Sequence, residues 1–175
     1  MPLSQDRNII LIGFMGTGKT SVGKSLSQQT GRRVVDVDHW IEQKTTQKIR
    51  DIFEKEGERH FRVLEKEAIA EISQMDSTVI TTGGGAVLDP ANMDALKKKG
   101  WVIALSASAE TIYERVKDSR HRPLLKENVR TEILRLLEIR KPLYACADYV
   151  FKTDNLSPDQ VAHLILETLE KERVS

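Results

Sequence analysis

One short segment constrains this chain more than any other. Residues 13–20 read GFMGTGKT and match the pattern G-x-x-x-x-G-K-[ST]. An apolar run at residues 8–13 precedes the segment, and a helical pattern at residues 19–30 follows it and stops at Gly31. In such a strand, loop and helix unit, backbone N–H groups and the positive end of the helix bind phosphate oxygens. A glycine turn that only joins strand to helix is the alternative, and the Lys-Thr pair argues against it.

The loop predicts a nucleotide site with a role for several side chains. Lys19 is expected to reach the β- and γ-phosphates, and the Thr20 hydroxyl to coordinate Mg²⁺. The expected ATP ligands in this segment are Gly16, Thr17, Gly18, Lys19, Thr20 and Ser21. GTP-binding switches share such a loop, but the sequence lacks their guanine-binding Asn-Lys-x-Asp element, which makes them the less favoured alternative. The loop indicates the phosphate donor and leaves the acceptor open.

The size and charge of the chain predict a single soluble domain. Its 175 residues suit one domain with one active site, and 39% hydrophobic with 30% charged residues is the balance of a globular protein. A formal net charge of +1 provides no field that would draw the chain onto nucleic acid or a membrane, so neither is expected as a partner. Cys146 is the only cysteine, and we see no targeting segment, so we expect a cytoplasmic protein without disulfides.

The alternation of apolar runs and helical patterns predicts an α/β fold with a central five-stranded parallel sheet and helices on both faces. All strands except residues 33–36 are expected to be buried on both faces. The strands are placed at residues 8–13, 33–36, 78–82, 101–106 and 149–152. The helices are placed at residues 19–30, 58–74, 90–99, 109–117, 128–144 and 158–173. We expect one three-layer domain over residues 1–175.

Two segments do not fit this scheme and are expected to be movable. Residues 38–56 are charged and only patchily periodic, while residues 118–127 are basic and interrupted by Pro123. Lids are commonly drawn from segments with few apolar contacts. We therefore expect a lid at residues 118–127 and an acceptor-binding segment at residues 38–62.

Two aspartates follow the second predicted strand, at the carboxyl edge of the sheet where ligands bind in open α/β folds. Strand alternation would point Asp36 and Asp38 the same way. One could hold Mg²⁺ through water, while the other could accept a proton from an attacking hydroxyl. A helix N-cap aspartate beside a solvated one is an equally good interpretation of the pair alone.

Three glycines in a row, Gly83, Gly84 and Gly85, follow the third predicted strand at the same edge. Such a run costs chain entropy, so a close approach of backbone to ligand is the favoured interpretation over a flexible turn. Arg62, Arg122 and Arg140 could supply the planar fork that binds carboxylate or phosphate, although each taken singly fits a solvated surface position as well.

Together these segments resemble the shikimate kinase family, in the nucleoside-monophosphate-kinase-like group of P-loop proteins. The resemblance covers most of the chain, and the motifs follow one another in the family's order. They are GFMGTGKT at 13–20, DVDHWIE at 36–42, GERHFR at 57–62, TGGGAV at 82–87, RHRPLL at 120–125 and RKPLY at 140–144. The resemblance implies the strand order 2-3-1-4-5 and transfer of the ATP γ-phosphate to the 3-hydroxyl of shikimate, in the pathway to chorismate and aromatic amino acids.

The resemblance also assigns the acceptor residues. Asp38 matches the residue that binds the shikimate hydroxyls, and we expect it to act in catalysis. Arg62 and Arg140 match the residues that bind the shikimate carboxylate. The glycine wall of the acceptor pocket is matched by Gly83, Gly84 and Gly85.

On the donor side, the resemblance places Lys19 and Thr20 at the phosphate and Mg²⁺ positions, with Asp36 near the metal. Arg122 matches a catalytic lid arginine near the transferred phosphate, and Arg120 beside it is expected to be solvated. Arg115 resembles the arginine that packs on adenine, and Pro158 resembles the opposite face of that slot.

Two other functions remain as rivals. A related kinase of gluconate or a nucleotide would keep the same loop, but paired arginines with a glycine wall favour a carboxylated polyol. A non-catalytic relative would usually have lost a lysine, aspartate or arginine, and all are present. The expected ligands are therefore ATP, Mg²⁺ and shikimate, on a monomer.

Overall fold

Five parallel strands form the central sheet of the computed structural model, which describes residues 6–118 and 128–174. The strands are β1 Asn8–Gly13, β2 Arg33–Asp36, β3 Thr78–Thr81, β4 Gly100–Ser106 and β5 Tyr149–Lys152, in the order β2-β3-β1-β4-β5. Ile10 in β1 is paired with Ile80 in β3 and with Val102 in β4. The predicted fold class and strand order are confirmed.

Helices cover both faces of the sheet. They are α1 Lys19–Thr30, α2 Val37–Thr45, α3 Ile49–Ile72, α4 Pro90–Lys97, α5 Ala109–Val116, α6 Val129–Arg140 and α7 Pro158–Val174, with 3-10 segments at Ala86–Leu88 and Lys141–Cys146. Ile9 and Leu11 point to the face covered by α1 and α7, whereas Ile10 and Ile12 point to the face covered by α2, α3 and α4. This alternation follows from the two-residue period of a strand. Since burial of one such side chain contributes roughly 1.5–3 kcal/mol, the central strand fixes both layers.

The two edge strands are less buried than the centre. The strands β1 and β3 are buried throughout and β4 nearly so, whereas β2 and β5 are partly exposed, with Val150 in β5 59% exposed. The prediction that β5 is buried on both faces was wrong, because Tyr149 and Phe151 pack against the core under α1 and α7, whereas the alternate residues of the strand are exposed.

Residues 38–56, which the sequence pattern did not assign to helices, are largely helical. They form most of α2 and the first part of α3, and Val37, Ile41 and Ile52 reach the core. A break at Gly57, with φ of 84°, separates this first part of α3 from the predicted helix that follows. Two short helices with only a few apolar contacts each give a weak periodic signal, which explains the omission.

The predicted helix at residues 128–144 ends earlier than expected. Regular α-helix stops at Arg140 and continues as the 3-10 segment Lys141–Cys146, which contains Pro142. Proline lacks the N–H that the α-helical ladder requires, so the tighter turn begins there.

The proposed lid lies almost entirely outside the described residues, since residues 119–127 are not among them. Its arginines, Arg120 and Arg122, therefore stay predictions. Within residues 6–118 and 128–174, no helix is both long enough and apolar enough to cross a membrane.

Candidate active site

A cleft of about 660 Å³ opens at the carboxyl ends of β1, β2 and β3. It brings together most of the side chains and glycines that the sequence marked, although they come from six separate parts of the chain. Its predicted lining residues are Gly16, Gly18, Lys19, Thr20, Ser21, Asp36, Asp38, Arg62, Gly83, Gly84, Gly85, Arg115 and Arg140. The cleft is lined in addition by Met15, His39, Glu42, Ile49, Phe53, Phe61, Glu65 and Thr82.

The phosphate loop is held in shape by its own polar groups. The Lys19 ammonium donates to Gly13 O at 2.6 Å and to Phe14 O at 2.9 Å, and the Thr17 hydroxyl donates to Phe14 O at 2.7 Å. Gly18 precedes α1 with φ of 98°, a conformation that favours glycine. The loop is therefore preformed, with the N-terminus of α1 directed at the cleft. Thr17 is buried under the loop, so its side chain supports the loop's shape rather than lining the cleft.

Two oxygen donors at this end suit Mg²⁺. The Thr20 hydroxyl is in the first turn of α1, and Asp36 lines the same cleft. Mg²⁺ is usually held by one or two protein oxygens together with substrate phosphates, and these residues are donors of that class. No group of three or more His, Cys, Asp or Glu side chains within the described residues is arranged to hold a metal ion. A site that uses phosphate oxygens needs no such group.

Asp36 has the structural role that the sequence left open. It is the N-cap of α2: its Oδ1 accepts from the His39 N–H at 2.9 Å, and its Oδ2 accepts from the Thr81 hydroxyl at 2.6 Å. The N-cap interpretation was therefore right for Asp36. These bonds fix the carboxylate at the cleft edge, so capping and metal binding are compatible.

Asp38 is not the solvated residue of the alternative interpretation. Its Oδ1 is buried and has no hydrogen-bond partner within the part of the chain that the structure describes. Burial raises the pKa of Asp38 to about 7; Asp36 and Glu65 add to the rise, and Lys19 and Arg62 oppose it. A carboxylate whose pKa is near neutrality can take up a proton at neutral pH.

Arg62 is held by two carboxylates of its own helix. Its Nη1 lies 2.8 Å from Glu65 Oε1 and its Nη2 lies 3.1 Å from Glu58 Oε1, while Nε is buried without a partner in the described structure. Glu65 is only 1% exposed, and burial raises the pKa of its carboxyl against the influence of Arg62. The sequence reasoning missed Glu65. Its signal was an acid three residues after a candidate arginine, which places both on one helix face.

The glycine run has the close approach that its composition indicated. A Cβ built on Gly85 would lie 2.3 Å from Arg62 Nη2, so a side chain there would displace the Arg62 guanidinium from its present position. A Cβ on Gly83 would lie 3.3 Å from both Asp38 Oδ1 and Glu65 Oε2. The run therefore leaves room for buried charged groups, which a merely flexible turn would not require.

Arg140, at the end of α6, lines the same cleft as Arg62. It is 4% exposed, and burial lowers the pKa of its guanidinium. The nearby Tyr144 hydroxyl donates to Gly84 O at 2.9 Å. Tyr144 is the last residue of the RKPLY segment, but the sequence did not indicate a role for it, because a tyrosine after a helix gives no distinct pattern.

The remaining predicted residues lie around the donor end. Arg115 donates to Gly16 O at 2.9 Å and to Thr153 O at 3.2 Å, so it joins the phosphate loop to the segment after β5. Pro158 is the exposed first residue of α7 and is not one of the lining residues named above. Its adenine contact stays a prediction, as does the role of Arg122.

Comparisons with known proteins cover nearly the whole chain. The family model for shikimate kinase matches residues 15–170. A shikimate kinase from Thermodesulfovibrio yellowstonii is 48% identical over 166 residues, 94% of this chain and 96% of its own length. A shikimate kinase from Persephonella marina is 47% identical over 160 residues, which are 91% of this chain and 97% of that protein's length. The structure of shikimate kinase from Acinetobacter baumannii in complex with shikimate aligns with a TM-score of 0.93 at 38% identity, covering 97% of this chain and 96% of that one.

Proposed function

The chain belongs to the shikimate kinase family, whose reaction is the ATP-dependent phosphorylation of shikimate, and we propose how its own cleft carries that reaction out. In the proposed reaction, the 3-hydroxyl of shikimate attacks the γ-phosphate of ATP to give shikimate 3-phosphate and ADP. The observation that carries the proposal is Asp38, a carboxylate with one buried oxygen that lines the cleft and is within the electrostatic influence of Lys19 and Arg62.

The donor end binds the nucleotide phosphates through the loop. Backbone N–H groups and the N-terminus of α1 surround the phosphate oxygens, and Lys19 moves from the carbonyls of Gly13 and Phe14 to the β- and γ-phosphates. Thr20 and Asp36 would hold Mg²⁺, which when bound neutralises part of the phosphate charge. Gly16, Gly18 and Ser21 line this end.

The acceptor end orients shikimate by its charge. The planar forks of Arg62 and Arg140 bind the carboxylate, and the carboxyl of Glu65 holds Arg62 in place. Because Gly83, Gly84 and Gly85 carry no side chains, the ring can approach the backbone. Asp38 then accepts a hydrogen bond from the attacking hydroxyl and takes its proton as the O–P bond forms.

Acceptor choice is the test of this proposal. ADP release from Mg-ATP should require shikimate and should stay at background with gluconate or nucleoside monophosphates. Phosphorus NMR of the product should show one new phosphomonoester. ADP release with gluconate or a nucleotide but not with shikimate would overturn the assignment of the acceptor end and leave the donor end intact.

The proposal includes the setting in which the enzyme works. We assign it one Mg²⁺ with each ATP, a monomeric state and the cytoplasm, without a nucleic-acid or membrane partner. The described residues of a single chain supply both ends of the cleft, which supports a monomer. Light scattering of the eluting protein measures the mass directly, and a dimer at working concentration would contradict this assignment.

A further inference from the structure

The hydroxyl of Tyr144 joins two walls of the acceptor end. Tyr144 lies in the 3-10 segment Lys141–Cys146, directly after α6, and its hydroxyl donates to Gly84 O at 2.9 Å. Gly84 belongs to the glycine run after β3, 60 residues earlier in the chain. This one hydrogen bond therefore connects the element that carries Arg140 to the glycine wall.

Arg140 lies in the same small group of atoms. A Cβ built on Gly84 would lie 3.6 Å from Arg140 Nη1 and 3.2 Å from Met15 N. The Arg140 guanidinium is also beside the Tyr144 hydroxyl, where its charge opposes the rise in the pKa of Tyr144 that burial causes. A guanidinium that is 4% exposed has little room to move, so its orientation depends on these neighbours.

The tyrosine ring is itself fixed by apolar packing. It contacts the core cluster under α2, α3 and α4, and it also contacts the separate cluster around Phe14 and Ile112. A ring held between two clusters places its hydroxyl without help from a ligand. The hydroxyl therefore has a fixed position from which it contacts both the Gly84 carbonyl and the Arg140 guanidinium.

We propose that Tyr144 is a positioning residue for the acceptor carboxylate. Its hydroxyl sets the spacing between the Gly84 carbonyl and the Arg140 guanidinium, so that the guanidinium meets the carboxylate in the orientation that a planar fork requires. This inference rests on the proposed function, because it takes Arg140 to bind the carboxylate of shikimate. Tyr144 acts on acceptor binding and leaves the phosphoryl transfer step unchanged.

The test removes the hydroxyl alone. In Tyr144→Phe, the shikimate KM should rise about three- to tenfold, the loss expected for one hydrogen bond, while kcat and the ATP KM stay within about twofold. The matched control is Tyr149→Phe in β5, whose hydroxyl interacts with Glu172 and is not part of the cleft. The control should leave both KM values unchanged. Calorimetric titration with shikimate counts folded sites only, so it measures the affinity loss even if Tyr144→Phe lowers the melting temperature.

A double-mutant cycle with Arg140→Lys separates positioning from general damage. If the hydroxyl acts through the guanidinium, Tyr144→Phe should change the shikimate KM by less than twofold in the Arg140→Lys background. An unchanged shikimate KM in Tyr144→Phe, an equal rise in the KM for ATP, or full additivity with Arg140→Lys would overturn the inference. Failure of the proposed function is a different result, since the unmodified enzyme would then release no ADP with shikimate.

Discussion

The two ends of the cleft are built in different ways. The donor end comes mainly from consecutive residues, 13–20, and its polar side chains, such as Lys19 and Thr17, are satisfied by carbonyls of the same loop. The acceptor end joins α2, α3, the glycine run and α6, and it buries Asp38 Oδ1 and Arg62 Nε, which have no hydrogen-bond partner in the described structure. An unsatisfied buried group costs about 1–3 kcal/mol, so these two groups lower the stability of the acceptor end.

Two carboxylates show the same contrast. Asp154, in the segment that Arg115 joins to the phosphate loop, accepts from the Ser108 N–H at 3.0 Å and from the Thr111 hydroxyl at 2.6 Å. The Thr111 bond is the largest cause that lowers the pKa of Asp154 to about 2, whereas burial raises the pKa of Asp38 to about 7. The donor side therefore stabilises its charged carboxylate, and the acceptor side destabilises its own.

The largest effect is expected at Lys19. Lys19→Ala should reduce ADP release to background, because the loop then lacks the charge that meets the β- and γ-phosphates. The carbonyls of Gly13 and Phe14 each lose one donor, although Phe14 O keeps the Thr17 hydroxyl, so the melting temperature should fall by a few degrees while the fold persists. Turnover close to that of the unmodified enzyme would refute the donor-end assignment. Lys24→Ala, on the exposed face of the same helix, is the control.

Arg122 tests whether the predicted lid is a third region that contributes to the reaction, in addition to the donor and acceptor ends of the cleft. If the lid arginine stabilises the migrating phosphoryl group, Arg122→Ala should lower kcat by roughly 10³–10⁵ and change both KM values much less. Arg120→Ala is the matched control in the same segment and should alter kcat only slightly. Steady-state kinetics of the two variants measures both effects. A greater loss of kcat in Arg120→Ala than in Arg122→Ala would assign the role to Arg120 instead.

Asp38→Asn should separate activity from stability at the acceptor end. Loss of the proton acceptor should lower kcat by about 10²–10⁴, with little change in the ATP KM. Because the pKa of Asp38 is raised in the folded state, its stabilising contribution is present below about pH 4 and is lost as pH rises through about 7. The neutral asparagine should therefore melt at a higher temperature than the unmodified protein at pH 8, with little difference at pH 4. An unchanged kcat would move the proton-accepting role to another group, with Asp36 first to be tested.

Arg62→Lys keeps the charge and removes the planar fork. The shikimate KM should rise about tenfold while the ATP KM stays constant, because a lysine cannot contact Glu65 and the acceptor carboxylate in one plane. Arg59→Lys, three residues earlier on the exposed face, is the control. A variant that weakened ATP binding and spared shikimate would show that the two ends have been assigned in reverse.

The smallest effect is expected at Asp154. Asp154→Asn should lower the melting temperature at pH 7 by about 2–4 °C, the equivalent of about 1 kcal/mol for a helix-end hydrogen bond in a domain of this size. The pKa of Asp154 is lowered in the folded state, so its contribution is present above about pH 4 and is lost as pH falls through about 2. The melting temperature of Asp154→Asn should therefore be lower than that of the unmodified protein at pH 7, and the two should be equal at pH 2. The control is Asp94→Asn, at an exposed position of α4, which should melt like the unmodified protein at both pH values. An equal fall in the melting temperature of this control would show that the hydrogen bonds of Asp154 do not cause the effect.

Much of the donor end could be predicted from the sequence, because its geometry is local. The bounds of β1, β2, β5 and α1 agree with the prediction, and the loop between β1 and α1 lines the cleft as expected. The acceptor residues were identified through motif resemblance. Nothing in their local pattern distinguished a buried Arg140 from a solvated one, because each alternative fits a helix end equally well.

The sequence by itself determined the phosphate loop and, outside residues 38–56, the alternation of strands and helices along the chain, since turns, helices and apolar patterns depend on residues that are close together in the chain. Only the tertiary structure decided that residues 38–56 form helices, that Glu65 and Tyr144 belong to the site, and that Asp38 and Asp154 have pKa values shifted in opposite directions. Burial and charge separation depend on how distant elements pack, so no local pattern could have supplied them.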